Sequence, residues 1–255
     1  MVFAALLLIP IGFSSSQDSS EIYVLEIKDE ITKASENVII DAIEKANNEG
    51  AYAFILAINT PGGRSDSTFN IVETMQASHI PIIFYSYPKG AIAASAGTYI
   101  AMASNIVAMA PLTSIGAAEP IYGYDPTTGE AIETSQKVRE YYTAVMRSYA
   151  EGTGRDTEVA GRFVSENLSL TPEEALELGM CEVVAESYDE LLDALDGMEI
   201  KGTVNGEKMV LETDGVSLNF ISLSIKDKIL IAISNPYVAY LLTTIGILGL
   251  VFGFM

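Results

Sequence analysis

Ser95 stands in the run Ala93-Ala94-Ser95-Ala96-Gly97, where no neighbour is larger than alanine. A serine at the opening of a helix among such small residues is accessible to a ligand, and the N–H of Ala96 points outward at the positive end of the helix dipole. A second unusual stretch is Asn59-Thr60-Pro61-Gly62-Gly63, which follows an apolar run. Adjacent glycines let a backbone N–H face a cleft with no side chain in the way. The N–H groups of Gly63 and Ala96 together form an oxyanion hole, the donor pair that acyl transfer uses. Alone, Gly-Gly reads as a turn and Ala-Ser-Ala-Gly as close helix packing. Their coincidence at the ends of neighbouring strands points to a site.

A nucleophilic serine needs a base. The one histidine, His79, directly precedes the apolar run from Ile80, which puts it at the opposite end of a sheet from Ser95 and excludes a Ser-His-Asp arrangement. Lysine remains. Lys33 and Lys45 fall on polar helix faces, Lys28 follows a strand, Lys201 and Lys208 lie beyond the core, and Lys226 and Lys228 adjoin an apolar end. With Thr134 as N-cap, Lys137 falls in the first turn of its helix, where the macrodipole opposes a cation. That field, together with burial, lowers a lysine pKa toward the range a general base needs. Lys89 is six residues from Ser95 but sits in the loop Tyr87-Pro88-Lys89-Gly90. These arguments alone leave Lys137 evenly balanced between a base and a solvated lysine beside a flap.

The elements that must position these residues alternate. Strands are expected at Tyr23–Ile27, Tyr52–Ile58, Ile80–Tyr85 and Asn105–Ala110, with helices at Ser35–Asn48, Asp66–Ala77 and Ala93–Ser104. The βαβα rhythm predicts a mostly parallel sheet with crossover helices, whose sites gather at the carboxyl ends of the strands. Further helices are expected at Thr134–Ala150, Asp156–Val164, Thr171–Gly179 and Ser187–Leu195, the third opened by the capping box Thr171-Pro172-Glu173-Glu174. Tyr122–Glu130 reads as a loop or flap, and Asn205-Gly206 as the turn of a short hairpin. The domain boundaries that follow are 1–20 for a signal-like stretch and linker, 21–197 for the α/β domain, 198–228 for a connecting segment and 229–255 for a membrane segment.

Composition narrows the classes. Hydrophobic residues make up 49% and charged residues 19%, which suits a packed core. The formal charge of −20, from 14 basic and 34 acidic residues, argues against nucleic-acid binding. A single cysteine, Cys181, forms no intrachain disulfide, and no Cys/His cluster supports a metal site. The high mean hydropathy of +0.29 has its source at the two ends. Val2–Phe13 resembles the apolar core of a secretory signal and is followed by a Ser-rich linker, which implies an extracytoplasmic domain. Ile229–Met255 carries no charge, and Tyr237–Met255 has roughly spanning length. The expectation is a membrane protein truncated within its first span.

Asn59-Thr60-Pro61-Gly62-Gly63-Arg64, Ala91–Ala101, Thr113-Ser114-Ile115-Gly116-Ala117, Leu168–Leu176 and Asn235–Leu242 together resemble the Clp-protease-like fold, and within it the NfeD-type membrane serine proteases, also called stomatin operon partner proteins. The resemblance implies a Clp-protease/crotonase-like spiral of ββα units. It implies a cofactor-independent serine endopeptidase with a Ser-Lys dyad mapping onto Ser95 and Lys137, and with Gly63 and Ala96 as oxyanion donors. It further implies cleavage of hydrophobic segments, stomatin-like membrane proteins as substrates, and a homodimer or larger homo-oligomer. Gly62, Arg64, Ser114, Ile115 and Gly116 are the candidate walls for an extended substrate strand. Two other classes share these features: a crotonase-type acyl-CoA enzyme, which the acidic charge disfavours, and a catalytically silent membrane scaffold binding apolar segments.

Overall fold

The computed structural model describes residues 21–125, 127–201, 204 and 206–254, so the signal-like stretch and its linker lie outside the described residues. The chain opens with β1 (Glu21–Lys28), α1 (Lys33–Asn48), β2 (Ala53–Asn59), α2 (Ser65–Gln76) and β3 (Ile82–Ser86). Then come β4 (Ile92–Ala94), α3 (Ala96–Ala103), β5 (Ile106–Met109), β6 (Ser114–Gly116), β7 (Ile121–Tyr124) and β8 (Ala131–Glu133). There follow α4 (Gln136–Gly152), α5 (Thr157–Ser165), β9 (Ser169–Leu170), α6 (Pro172–Glu177), β10 (Val183–Val184) and α7 (Tyr188–Leu195). The last elements are β11 (Ser217–Phe220), α8 (Ile225–Ser234) and α9 (Pro236–Gly253).

The main sheet has the order β10-β5-β3-β2-β1-β11, and every neighbouring pair in it is parallel. Its central strand β2, Ala-Phe-Ile-Leu-Ala-Ile-Asn, carries no charge because both faces are covered. Phe54, Leu56 and Ile58 enter the core under α1 to α5, and Ala53, Ile55 and Ala57 enter a second core under α7. The expected strands and helices of this layer are present. α1 starts at the capping box Thr32/Ser35, and α6 at Thr171/Glu174 as anticipated.

Three expectations are corrected. Ile92-Ala93-Ala94 is a strand rather than the first turn of a helix, pairing in parallel with β6, so α3 starts only at Ala96. The segment after Gly197 is not a mere connector: β11 extends the main sheet beside β1, and Ile200 and Leu211 are fully buried in the second core. Reciprocal Val204–Glu207 backbone bonds do close the expected hairpin turn; Asn205 itself lies outside the described residues. The apolar C-terminal end is broken at Asn235-Pro236, where Asn235 caps α9 and proline takes its first position. Among the described residues no single helix is long and apolar enough to cross a membrane; α8 and α9 reach that length only as a pair bent by 81°.

Candidate active site

β2 runs out of the main sheet at Asn59 and hands over to the small sheet β4-β6-β9. Thr60 makes the junction. Its N–H donates to Ile92 O (2.7 Å), its carbonyl accepts from Ala94 N (3.1 Å), and its hydroxyl donates to Gly62 O (2.9 Å). Ile31 then clamps the glycine turn, donating to Gly62 O and accepting from Arg64 N, both at 2.8 Å. Neither bond uses the Gly63 N–H. A methyl on Gly63 would stand 2.2 Å from Ile31 O, so glycine is obligatory for this approach.

Ser95 is the N-cap of α3 at φ 50°, ψ −110°, a conformation foreign to L side chains. Its surroundings impose it. Ser95 N donates to Gly116 O (3.1 Å), while Ser95 O already accepts from Thr98 N (2.9 Å). The buried Thr98 hydroxyl lies 2.8 Å from Ala93 O and 2.9 Å from Gly116 O, and accepts from Gly116 N (3.0 Å). The corner between β4 and α3 is thus overdetermined, and strain held in this way is characteristic of functional positions. Ala96 N, at the first helical position, has no partner within the helix.

Gly62 lies directly against the serine: a methyl there would meet Ser95 Cβ at 2.8 Å and Oγ at 3.2 Å. Gly62→Ala, with φ at 130° as well, is therefore expected to push the serine aside and lower kcat/KM about 10²-fold. Steady-state peptide hydrolysis checks this, at a temperature where circular dichroism shows the variant still folded.

The cleft beside Ser95 is lined by Gly63, Ser65, Thr68, Phe69, Ala96, Tyr99, Ala118, Pro120 and Tyr142. Phe69 and Tyr142 stack at 5.6 Å between centroids, and Tyr99 meets both edge-on. Burial pushes the Tyr99 phenol well up, so it stays neutral and donates to Ala118 O (3.2 Å). These aromatic walls escaped sequence reasoning, because aromatics on helices read as ordinary core contacts.

Of the expected residues, Ser95, Gly63, Ala96 and Gly62 converge. Arg64 does not line the cleft; its guanidinium is exposed and paired in two bonds with Asp66 (3.0 and 2.6 Å). β6 cannot receive a substrate strand, since both its edges are already paired, with β4 and β9. Ile115 is 1% exposed in the core, and Gly116 serves Ser95 and the close approach to Leu168, so neither they nor Ser114 wall the cleft.

Lys137 lies in the first turn of α4, but the N-cap is Ser135, because the Thr134 hydroxyl is spent on Pro120 O (3.2 Å). The expected burial is absent: Lys137 is exposed, does not line the cleft, and its ammonium has no hydrogen-bond or ion-pair partner among the described residues. Tyr142 on the same helix faces the cleft, and Arg139 ties the helix to Glu119 (2.9 Å) beside it. Lys89 is engaged elsewhere, with Glu186 at 3.5 Å. His79 is exposed ahead of β3, as expected. Among the described residues no group of His, Cys, Asp and Glu is arranged to hold a metal.

This α/β arrangement, built on a mostly parallel sheet, is the fold of the Clp proteases. The catalytic domain of ClpP from Plasmodium falciparum superposes with a TM-score of 0.50 at 16% identity, over 65% of this chain and 86% of that one, a likeness of fold alone. The chain belongs to the family of the NfeD1b N-terminal domain, whose pattern matches residues 21–203. Membrane-bound protease PH1510 of Pyrococcus horikoshii is 46% identical over 234 residues, 92% of this chain and 53% of the relative. The chain thus spans about half the length of that curated relative. Among solved structures, a lysine-to-alanine variant of the 1510-N membrane-bound stomatin-specific protease, in complex with a substrate peptide, superposes with a TM-score of 0.82 at 43% identity, over 86% of this chain and 99% of that one. A serine-to-alanine variant of the same protease gives 0.78 at 44% identity, over 81% and 99%.

Proposed function

We propose that this chain is a membrane-tethered serine endopeptidase in which Ser95 attacks the peptide carbonyl and Lys137 is the general base. The observation that carries the reading is the strained Ser95 corner, closed on one side by Gly62 and flanked by the amides of Gly63 and Ala96, which find no backbone acceptor among the described residues. The neutral amine of Lys137 takes the Ser95 Oγ proton as Oγ bonds to the carbonyl carbon, and the oxyanion rests on the two amides. The ammonium then protonates the departing amine as the C–N bond breaks. Water, deprotonated by the same lysine, then attacks the acyl carbon. The C–Oγ bond breaks as the ammonium returns a proton to Ser95 Oγ, and the acyl group leaves as the carboxylic acid, which ionises in water. Lys137 is exposed in the first turn of α4, the helix that brings Tyr142 to the cleft, so the role requires its flexible side chain to reach over the rim to Ser95.

Phe69, Tyr99 and Tyr142 give the cleft an aromatic side suited to a hydrophobic side chain, and a relative named as stomatin-specific makes a stomatin-like membrane protein the substrate to try first. The domain is assigned to the extracytoplasmic side, in a homodimer or larger assembly, on the resemblance and the apolar N-terminal stretch. The test is covalent capture: a fluorophosphonate should label Ser95 and no other serine, and apolar peptides should compete. Absence of both labelling and hydrolysis would favour a silent scaffold.

A lysine base works only as the neutral amine, so kcat/KM is expected to climb steadily from neutral to alkaline pH. A profile peaking below neutrality would remove Lys137 from the role.

A further inference from the structure

α8 and α9 divide the apolar C-terminal end into two helices of different character. α8 begins at the capping box Ser224/Asp227 and packs on α1. Its part-buried positions are Asp227, Ile231 and Ser234, one side of the helix by their spacing. On the opposite side Ile225, Ile229 and Ile233 form a stripe with 79%, 55% and 43% of their surface exposed. Lys226 and Lys228 flank that stripe, both exposed and without ion pairs among the described residues. α9 by contrast carries no charge, and its apolar side chains are exposed on every side. Its two threonines satisfy their hydroxyls within the helix, Thr243 on Ala239 O and Thr244 on Tyr240 O. Tyr237 and Tyr240, the ring-and-hydroxyl side chains favoured where lipid meets water, lie in its first turns.

We propose that α8 lies flat in the headgroup layer of a bilayer, with Ile225, Ile229 and Ile233 dipping to the acyl boundary and Lys226 and Lys228 at the lipid phosphates. The 81° bend then takes α9 inward from that plane. The inference rests on the membrane tether proposed above and adds an orientation to it. An apolar stripe flanked by cations is the signature of an interfacial helix, the lysine stems lying along lipid while the ammonium groups reach the phosphates. The net charge of −20 repels an anionic surface from the rest of the chain, so approach is confined to the stripe and its two lysines. Because α8 is packed on α1, the domain does not swing on a tether; its α1 side is held toward the membrane.

The experiment is depth measurement by spin labels on the full chain, reconstituted into bilayers of mixed phosphatidylcholine and phosphatidylglycerol. Cys181 is buried and its thiol is pushed up to about 12 by desolvation, so labels go to introduced cysteines. Ile225→Cys, Ile229→Cys and Ile233→Cys are expected to report one shallow depth, with collisions by oxygen exceeding those by a water-soluble nickel chelate. Leu241→Cys and Leu248→Cys should lie progressively deeper. A depth increasing by about 12 Å from 225 to 233 would mean a straight continuing span and overturn the proposal. So would water exposure at all three α8 sites with Leu241→Cys and Leu248→Cys in lipid. Water exposure at 241 and 248 as well would instead overturn the tether itself.

Discussion

Ser95→Ala and Lys137→Ala are each expected to abolish peptide hydrolysis, by about 10⁴-fold or more in kcat, and the double variant to be no worse than either. Residues that act as one nucleophilic unit show this non-additivity, because the proton acceptor has no use without the hydroxyl it serves. Lys89→Ala should leave the rate unchanged, since that ammonium is held by Glu186 away from the cleft. Loss in Lys89→Ala with retention in Lys137→Ala would move the base to the loop. A third substitution at the nucleophile separates chemistry from backbone strain. Ser95→Gly is equally inactive, but it relieves a φ of 50° that costs a non-glycine residue about 1–3 kcal/mol. The extra freedom of glycine in the unfolded chain returns roughly 0.5–1 kcal/mol of that. A net gain near 1 kcal/mol over Ser95→Ala is the expected result in denaturant titration. No difference between the two would show that the corner is relaxed, and would remove the strain from the case for a nucleophile.

The parallel core was legible because its strands announce themselves: β2 has no charged residue, and α1 and α6 carry caps whose chemistry is local. The serine and its glycines were legible for the related reason that close backbone approach admits only small residues. What escaped depends on partners distant in sequence. β6 and β9 are three and two residues long and exist through pairing with each other and with β4. Without that pairing, Ile115 reads as a cleft wall rather than as core. Ser217–Phe220 reads as part of a connector until β1 offers it an open edge. The exposure of Lys137 was out of reach too. Which way the first turn of α4 faces depends on whether Thr134 or Ser135 caps it, and that contest is decided by a carbonyl at Pro120, far back along the chain.

The other end of α4 is fixed by buried charge, and Arg155→Ala is expected to cost about 3–5 kcal/mol of stability. Arg155 has no exposed side-chain surface; its guanidinium donates to Ser104 O (2.8 Å) and to Glu182 Oε2 (2.7 Å). The same Glu182 oxygen accepts from Val107 N (2.8 Å), and Lys201 approaches the other at 3.4 Å. Removing the arginine strands the Ser104 carbonyl and leaves a largely buried carboxylate with only the half-exposed Lys201 as counter-charge, and loss of those partners outweighs the net worth of the pair. Arg155→Lys should recover little, because one ammonium cannot span both acceptors. Arg155→Met with Glu182→Leu should recover most of the loss, since a buried pair replaced by apolar groups is often close to neutral. The effect also reaches the site. Just before Arg155, Thr153 donates to Met102 O (2.9 Å), so this corner binds the end of α4 to the end of α3, the helix that Ser95 caps. In Arg155→Ala, kcat/KM should therefore fall even at temperatures where the domain stays folded, whereas the double apolar variant keeps it. A cost under about 1 kcal/mol in denaturant titration would mean that water reaches the corner and that the pair behaves as a surface bridge.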